Sequence, residues 1–207
     1  MSANVAELGF VPTNSLDVDQ RVILTGVTWK QYEALLEVFG DDHPGIRVAY
    51  LEGNLEIMSP SRKHERLKTF VARLVELYAL ERDISLTGLG STTFKKAAKE
   101  RGAEPDECYC IGEEKEVPNI VFEVIVTSGG INKLALYEGL GVPEVWFWRA
   151  GAFHLYALGP QGYQRRDRSD FLPEIDFTQV ASLAELPDQT QAVRTFRDFL
   201  RGGPSKP

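Results

Sequence analysis

Residues 120–126 (IVFEVIV) constrain the fold of this chain more than any other segment. Six of the seven side chains are β-branched or aromatic, and such side chains favour strands. They do not alternate with polar residues, which predicts a strand that is covered on both faces. The segment therefore predicts an α/β or α+β protein with a central sheet flanked by helices.

Glu123 is the charged residue that interrupts this apolar segment. Burying an unpaired carboxylate costs several kcal/mol or more. The side chain therefore needs a metal ion, a cationic partner or a raised pKa, which functional sites supply. The structural alternatives are a position near the end of the strand or a pairing with a buried arginine.

The other segments predict a mixed sheet in a single domain, since 207 residues suit one domain of typical size. Apolar periodicity predicts helices at 29–39, after Ser59-Pro60, at 131–139 and at 189–201. Strand-like segments lie at 47–51, 55–58, 84–87, 91–94 and 106–111, and a β-hairpin extension at 144–148 and 152–158. We expect an N-terminal arm at 1–20, the domain at 21–201 and a tail at 202–207.

Asp106 follows Pro105 at the start of one predicted strand, seventeen positions before Glu123. If the two strands pair, the two acids lie on neighbouring positions about 4.8 Å apart. Carboxylates this close repel each other unless a divalent cation joins them, and their oxygens suit Mg²⁺ or Mn²⁺. Taken alone, an aspartate after proline is more commonly a turn residue.

Four further residues are candidates for a site. Lys133 opens the predicted helix at 131–139 and can orient a water and stabilise charge on a phosphate, although a lone helical lysine is usually solvated. Tyr137 lies one turn later on the same face and is a candidate substrate contact. Glu52, in the turn of the first hairpin, is a second metal ligand, a water-orienting group or a turn acid. His64, near the start of the second helix, approaches a phosphate or caps the helix.

Charge is distributed unevenly along the chain. The net charge of −7 and the pI near 5.1 argue against a protein that coats nucleic acid by bulk electrostatics. Residues 61–73 carry a net +4, residues 94–101 a net +3, and residues 104–123 a net −6. The basic stretches, which include Lys95 and Lys96, are candidate phosphate contacts or else solvated surface.

The cysteines indicate a reducing compartment. Cys108 and Cys110 are too close in sequence for an ordinary disulfide, so we interpret them as thiols of a cytoplasmic protein. Because the histidines are scattered, zinc is disfavoured. We expect no membrane segment and no secretory signal, since no apolar run approaches ~20 residues.

Six segments in a fixed order resemble the Uma-type family of restriction-endonuclease-like proteins. They are 49–60 (AYLEGNLEIMSP), 64–65 (HE), 90–94 (GSTTF), 104–109 (EPDECY), 118–124 (PNIVFEV), and 133–137 (KLALY) with 141–146 (GVPEVW). The resemblance covers about residues 28–160. It implies a PD-(D/E)XK nuclease fold with a mixed central sheet, and divalent-metal chemistry on phosphodiesters.

The resemblance assigns the two acids of the nuclease motif to Asp106 and Glu123. Ile125 stands where the superfamily has its lysine, and the Uma-type variant points instead to Lys133 in the following helix. Asn119 stands where the family tends to have aspartate, so the resemblance gives that position no role. It implies that the two acids and the backbone carbonyl near Val124 hold Mg²⁺ or Mn²⁺, and that Lys133 orients the attacking water.

The function implied is a metal-dependent endonuclease that acts on DNA, and a homodimer is left open. One alternative is a nucleic-acid-binding or interaction protein that kept the fold and lost turnover. Another is a homo-oligomer built on the aromatic hairpin at 145–158. We favour an ordinary core role for those aromatic side chains.

Overall fold

The computed structural model describes residues 17–40, 45–127 and 129–202, which hold eleven strands and five α-helices. The strands are β1 (Gln20–Thr25), β2 (Arg47–Leu51), β3 (Asn54–Ser59), β4 (Leu86–Gly88), β5 (Phe94–Lys96), β6 (Arg101–Ala103), β7 (Glu107–Ile111), β8 (Ile120–Ile125), β9 (Glu144–Arg149), β10 (Ala152–Gly159) and β11 (Gly162–Arg166). The helices are α1 (Trp29–Phe39), α2 (Arg62–Glu81), α3 (Lys133–Leu140), α4 (Phe177–Ala184) and α5 (Gln189–Leu200). Within these ranges no helix is long and apolar enough to cross a membrane.

The predicted central strand is β8, in a six-stranded sheet of order β11-β10-β9-β8-β7-β4. β8 runs parallel to β9 and antiparallel to β7, and the remaining pairs are antiparallel. The sheet is therefore mixed, as predicted. Five of the six β8 side chains are buried, which confirms that both faces are covered.

Alternate residues of β8 face two separate cores, as the two-residue repeat of a strand requires. Phe122 packs with Trp146 and with residues of α2, α4 and α5 in the larger core. Val121 packs on the opposite face with Tyr137 of α3. Glu123, two residues beyond Val121, therefore points toward the α3 side of the sheet.

A second, five-stranded antiparallel sheet, of order β1-β3-β2-β6-β5, lies beside the first, where the sequence predicted a single central sheet. Ala49 and Ala103 from this sheet join the core on the α3 side. Helix α1 covers other residues of it, through Tyr32 packed on Tyr50. Strands β1 and β6 were missed because β1 is largely exposed at the edge of the sheet and β6 has three residues.

The helix and hairpin predictions hold with local corrections. Helix α1 has the predicted bounds and the capping box of Thr28 and Gln31. Helix α2 begins later than predicted, at Arg62, because Ser61 is its N-cap. The hairpin forms β9 and β10, and its Trp146 and Trp148 are buried, which confirms their core role. Helix α4 and strand β11 were not predicted.

The predicted N-terminal arm lies mostly outside the described residues, as does most of the predicted tail. Residues 1–16 and 203–207 belong to those parts. At the boundary, Asp19 is buried and Gln20 begins β1. The end of the predicted arm is thus part of the folded structure.

Candidate active site

Asp106 and Glu123 face each other across strands β7 and β8. The antiparallel register pairs Glu107 with Phe122, so the next step places Asp106, the residue before β7, opposite Glu123. Asp106 is 1% exposed and Glu123 is 4% exposed. Strand pairing thus makes neighbours of two buried carboxylates that are seventeen residues apart in sequence.

Two residues of α3 bind Glu123. The Lys133 ammonium donates to Glu123 Oε1 at 3.0 Å, and the Tyr137 hydroxyl donates to the same oxygen. Residues four apart share a helix face, so one short helix delivers both donors. Asn132 caps this helix by accepting a hydrogen bond from the Ala135 N–H, and the cap fixes where the helix begins.

Burial disfavours the charged forms of both Glu123 and Lys133, and the neighbouring charges decide the direction in which each pKa shifts. Burial raises the pKa of Glu123, and the charge of Asp106 adds to the rise against the opposing effects of Lys133 and Tyr137. For Lys133, burial disfavours the charged form, but the carboxylates of Glu123, Glu56 and Asp106 prevail and raise its pKa. Lys133 is therefore a cation at neutral pH.

Asp106 is an ionised carboxylate, and only one of its two oxygens has a partner among the described residues. Burial opposes its charge, but the His64 ring, the Val124 N–H and Lys133 together hold the pKa of Asp106 below its usual range. The Val124 N–H donates to Oδ2 at 2.7 Å, and His64 Nε2 lies 2.9 Å from that oxygen. Oδ1 is buried and has no hydrogen-bond partner among the described residues. Because buried polar atoms are normally paired, this oxygen is a candidate ligand position.

His64, in the first turn of α2, bridges Asp106 and Asp19. Its Nδ1 lies 3.1 Å from Asp19 Oδ2, and the other oxygen of Asp19 accepts the Ser61 N–H at 2.8 Å. The ring is completely buried. Burial opposes protonation, yet the two carboxylates prevail and raise the pKa of His64 to about 10. At neutral pH an imidazolium thus lies between two buried carboxylates.

A cavity of about 340 Å³ opens beside Glu123. Strands β8, β9 and β10, the 129–132 segment, the start of α3 and parts of β1 and β3 form its wall. Arg21, Lys133 and Arg149 line it together with aromatic Phe147 and Tyr156. The wall therefore combines cationic and apolar groups beside a buried carboxylate.

Glu56 is a buried carboxylate of this wall that the sequence predictions missed. It is 2% exposed, and its Oε2 lies 3.3 Å from Arg21 Nε and accepts the Ile131 N–H at 3.0 Å. Arg21 also donates to the Gly129 carbonyl, so the second sheet holds the segment that leads into α3. The signal was present in the sequence, because Glu56 interrupts the apolar residues 55–58 as Glu123 interrupts 120–126.

Three other sequence-predicted residues, Glu52, Lys95 and Lys96, do not line the cavity beside Glu123. Glu52 is exposed in the β2–β3 turn, where it has a φ of 45° and pairs with Arg101 at 2.7 Å, so it is not a ligand here. Lys95 and Lys96 are exposed on β5, at the edge of the second sheet.

Two further predictions need correction because the side chains are completely buried. His64 is completely buried, with its two ring nitrogens 3.1 Å and 2.9 Å from carboxylate oxygens, so it cannot contact a phosphate as predicted. Tyr137 holds Glu123 rather than a substrate. His64 contacts Asp106 and Tyr137 contacts Glu123, so both residues hold the acid pair in place.

The oxygens at Asp106 and Glu123 fit a hard divalent cation such as Mg²⁺. This ion commonly binds proteins through one or two carboxylates and completes its shell with water and substrate oxygens. The Oδ1 of Asp106, which has no partner within the part of the chain that the structure describes, supplies one such position. Within the part of the chain that the structure describes, no three His, Cys, Asp or Glu side chains converge as a metal-binding group, so these two carboxylates would need ligands from outside the protein.

Fold and site define an α+β protein with a paired-carboxylate centre in a mixed sheet. The chain matches the model of the Uma2 family, described as "Putative restriction endonuclease", over residues 29–189. It belongs to that family.

No curated protein gives a significant match. A solved structure similar to this chain is the crystal structure of a putative nuclease belonging to DUF820 from Anabaena variabilis ATCC 29413. The identity is 14%, the similarity covers 83% of this chain and 99% of that chain, and the TM-score is 0.47.

Proposed function

We propose that this protein is a metal-dependent endonuclease that hydrolyses phosphodiester bonds of DNA. The observation that carries the proposal is the buried pair Asp106 and Glu123. One oxygen of Asp106 has no partner among the described residues, and the Lys133 ammonium binds Glu123. Membership of the Uma2 family supports the same chemistry. Two carboxylates of this kind suit a divalent cation, and the ammonium beside them suits the negative charge that develops on a phosphate.

The residues of the chain have separable roles in this reaction. Asp106, Glu123 and the Val124 carbonyl would hold Mg²⁺ or Mn²⁺, which when bound lowers the pKa of a water and polarises a phosphate oxygen. Lys133 orients the attacking water and balances the negative charge that develops on the phosphate. Tyr137 fixes the orientation of Glu123.

The hydrolysis itself is a simple displacement. The oxygen of a water bonds to phosphorus and gives up a proton, one bridging P–O bond breaks, and the leaving oxygen takes up a proton, so the protons balance overall. Because Lys133 is held by Glu123 beside the cavity, its ammonium is placed near the charge that the displacement generates.

The experiment that tests the proposal is cleavage of supercoiled plasmid and of single-stranded DNA with Mg²⁺, Mn²⁺ or EDTA. We expect cutting with the metals alone, and a loss of at least about a hundredfold in Asp106→Asn and Glu123→Gln. The matched control is Glu114→Gln, which removes an exposed acid from the β7–β8 connection and is expected to cut normally.

Two results would contradict the proposal. Cutting that persists in both acid variants would show that the site is elsewhere. DNA binding without cleavage under any metal condition would favour a binding protein that kept the fold and lost turnover.

A further inference from the structure

On the basis of this nuclease function, we propose that the cavity beside Glu123 admits a single unpaired strand whose phosphate is bound by Arg149. The DNA is then unpaired at the point where it is cut. Three observations carry the proposal: the position of Arg149, its uncommitted charge, and the depth and lining of the cavity.

Arg149 lies on the same face of the sheet as Glu123. The parallel register of β8 and β9 pairs Glu123 with Phe147. Arg149 is two residues beyond Phe147, and residues two apart on a strand point to the same side. All three line the cavity. Neighbouring strands are about 4.8 Å apart, so the long Arg149 side chain can reach a phosphate placed beside Glu123.

The guanidinium of Arg149 is free to bind a ligand. Lys133, in the same wall, is already paired with Glu123. Arg21 is paired with Glu56. Arg149 is exposed at the end of β9 and has no hydrogen bond or ion pair within residues 17–40, 45–127 and 129–202. A guanidinium binds two phosphate oxygens through its planar fork, so this side chain is suited to a phosphate.

The burial of Glu123 inside the cavity requires the DNA strand that reaches it to be unpaired. Glu123 is 4% exposed, so a phosphodiester can approach it only from inside the cavity. A volume of about 340 Å³ is in the range of pockets that enclose small ligands. Enzymes that modify a base inside such a pocket act on single strands or extrude the nucleotide, and a phosphodiester that has to enter this cavity to reach Glu123 makes the same demand on the DNA. Phe147 and Tyr156 in the wall offer apolar surface for a base that has left its stack.

The test measures binding separately from cleavage. Fluorescence anisotropy in EDTA compares a labelled single strand, a fully paired duplex whose two ends are closed by non-nucleotide linkers, and the same duplex with a mismatched bubble. The variants are Arg149→Gln and a matched control, Arg194→Gln. Arg194 is an exposed arginine of α5, a helix that packs on the opposite face of the six-stranded sheet.

We expect the single strand and the bubble to bind at least about tenfold more tightly than the closed duplex. Arg149→Gln should weaken single-strand binding about tenfold. It should also reduce the slope of log K against log salt by about 0.7, the value for one phosphate contact on a single strand. Arg194→Gln should change neither quantity.

Cleavage of the same three DNAs with Mg²⁺ separates the two proposals. If the closed duplex is cut as fast as the single strand, or if both arginine variants lose binding equally, the unpaired-strand proposal is overturned and the nuclease function stands. If none of the three is cut while Arg149-dependent binding of the single strand is observed, the nuclease function is refuted and the strand-binding cavity is supported.

Discussion

Replacing His64 with glutamine would remove a positive charge from between Asp106 and Asp19 while keeping a polar side chain of similar size. Both carboxylates are buried, and the ring is completely buried between them. The variant would leave Asp106 and Asp19 without the cation that lies between them. It therefore tests whether the imidazolium holds this part of the site together.

The loss of folding stability expected for His64→Gln can be calculated in two ways. Removing one member of a buried ion pair costs about 3–5 kcal/mol. The rise in the pKa of His64 from its ordinary 6.5 to about 10 corresponds to roughly 5 kcal/mol. We therefore expect the free energy of unfolding to fall by about 3–5 kcal/mol at pH 7, a large part of the ~5–15 kcal/mol of a typical domain.

The stabilisation that His64 contributes should decrease as the pH rises. A histidine whose pKa is raised by folding contributes its full stabilisation below the unfolded pKa and loses it as the pH rises through the folded one. The contribution of His64 is thus complete below pH 6.5 and disappears as the pH approaches 10. The stability gap between the wild type and His64→Gln should narrow between pH 7 and pH 10.

The assay is urea denaturation in EDTA at several pH values, together with the imidazole ¹⁵N shifts of the native protein. We expect His64 to remain protonated at pH 8. The double variant His64→Gln, Asp19→Asn should recover part of the loss, because one of the two unpaired carboxylates is gone. A gap that is independent of pH, or a ring that deprotonates near pH 6.5, would refute the imidazolium bridge.

Three further predictions concern the neighbouring residues. Lys133→Gln should lower kcat for DNA cleavage by about 10²–10³-fold, measured by single-turnover kinetics; an unchanged kcat would remove Lys133 from the reaction. Gly130→Ala should lower the stability measured by thermal unfolding more than Gly129→Ala does. Both glycines have a positive φ, whose strain alone costs about 1–3 kcal/mol in alanine, but only at Gly130 would a Cβ lie 2.5 Å from Glu56 Oε2. Equal losses of stability in the two variants would refute the close contact. Glu52→Gln should leave cleavage unchanged, since that side chain is exposed and paired outside the cavity, and a large loss would restore it to the site.

The elements that could be predicted are those with a strong local signal. Helix α1 carries both an apolar face and a capping box within one turn of its start. Strand β8 is an apolar run interrupted only by Glu123, and this pattern favours a central strand covered on both faces. Glu123 was found because a charge inside such a run needs a partner. These inferences use neighbours in sequence, where helix and strand periodicities apply directly.

The residues that were missed, or given another role, depend on contacts across the chain. Asp19 enters the site because its carboxylate meets the start of α2, forty-two residues later at Ser61. Glu56 and Glu52 lie on the same hairpin, yet only Glu56 points into the cavity wall, since Glu52 occupies the turn. No local period distinguishes these cases.

The sequence by itself determined a mixed, two-sided sheet and the identity of a buried acid within it, because burial and strand periodicity are written into consecutive residues. The tertiary structure alone decided what surrounds that acid. Strand register places Asp106 opposite Glu123. Helix α2 places His64 beside Asp106, so this residue is a buried cation and not the predicted phosphate contact. The physical reason is that charges interact through space, so their pKa values and partners depend on distances that only the folded chain sets.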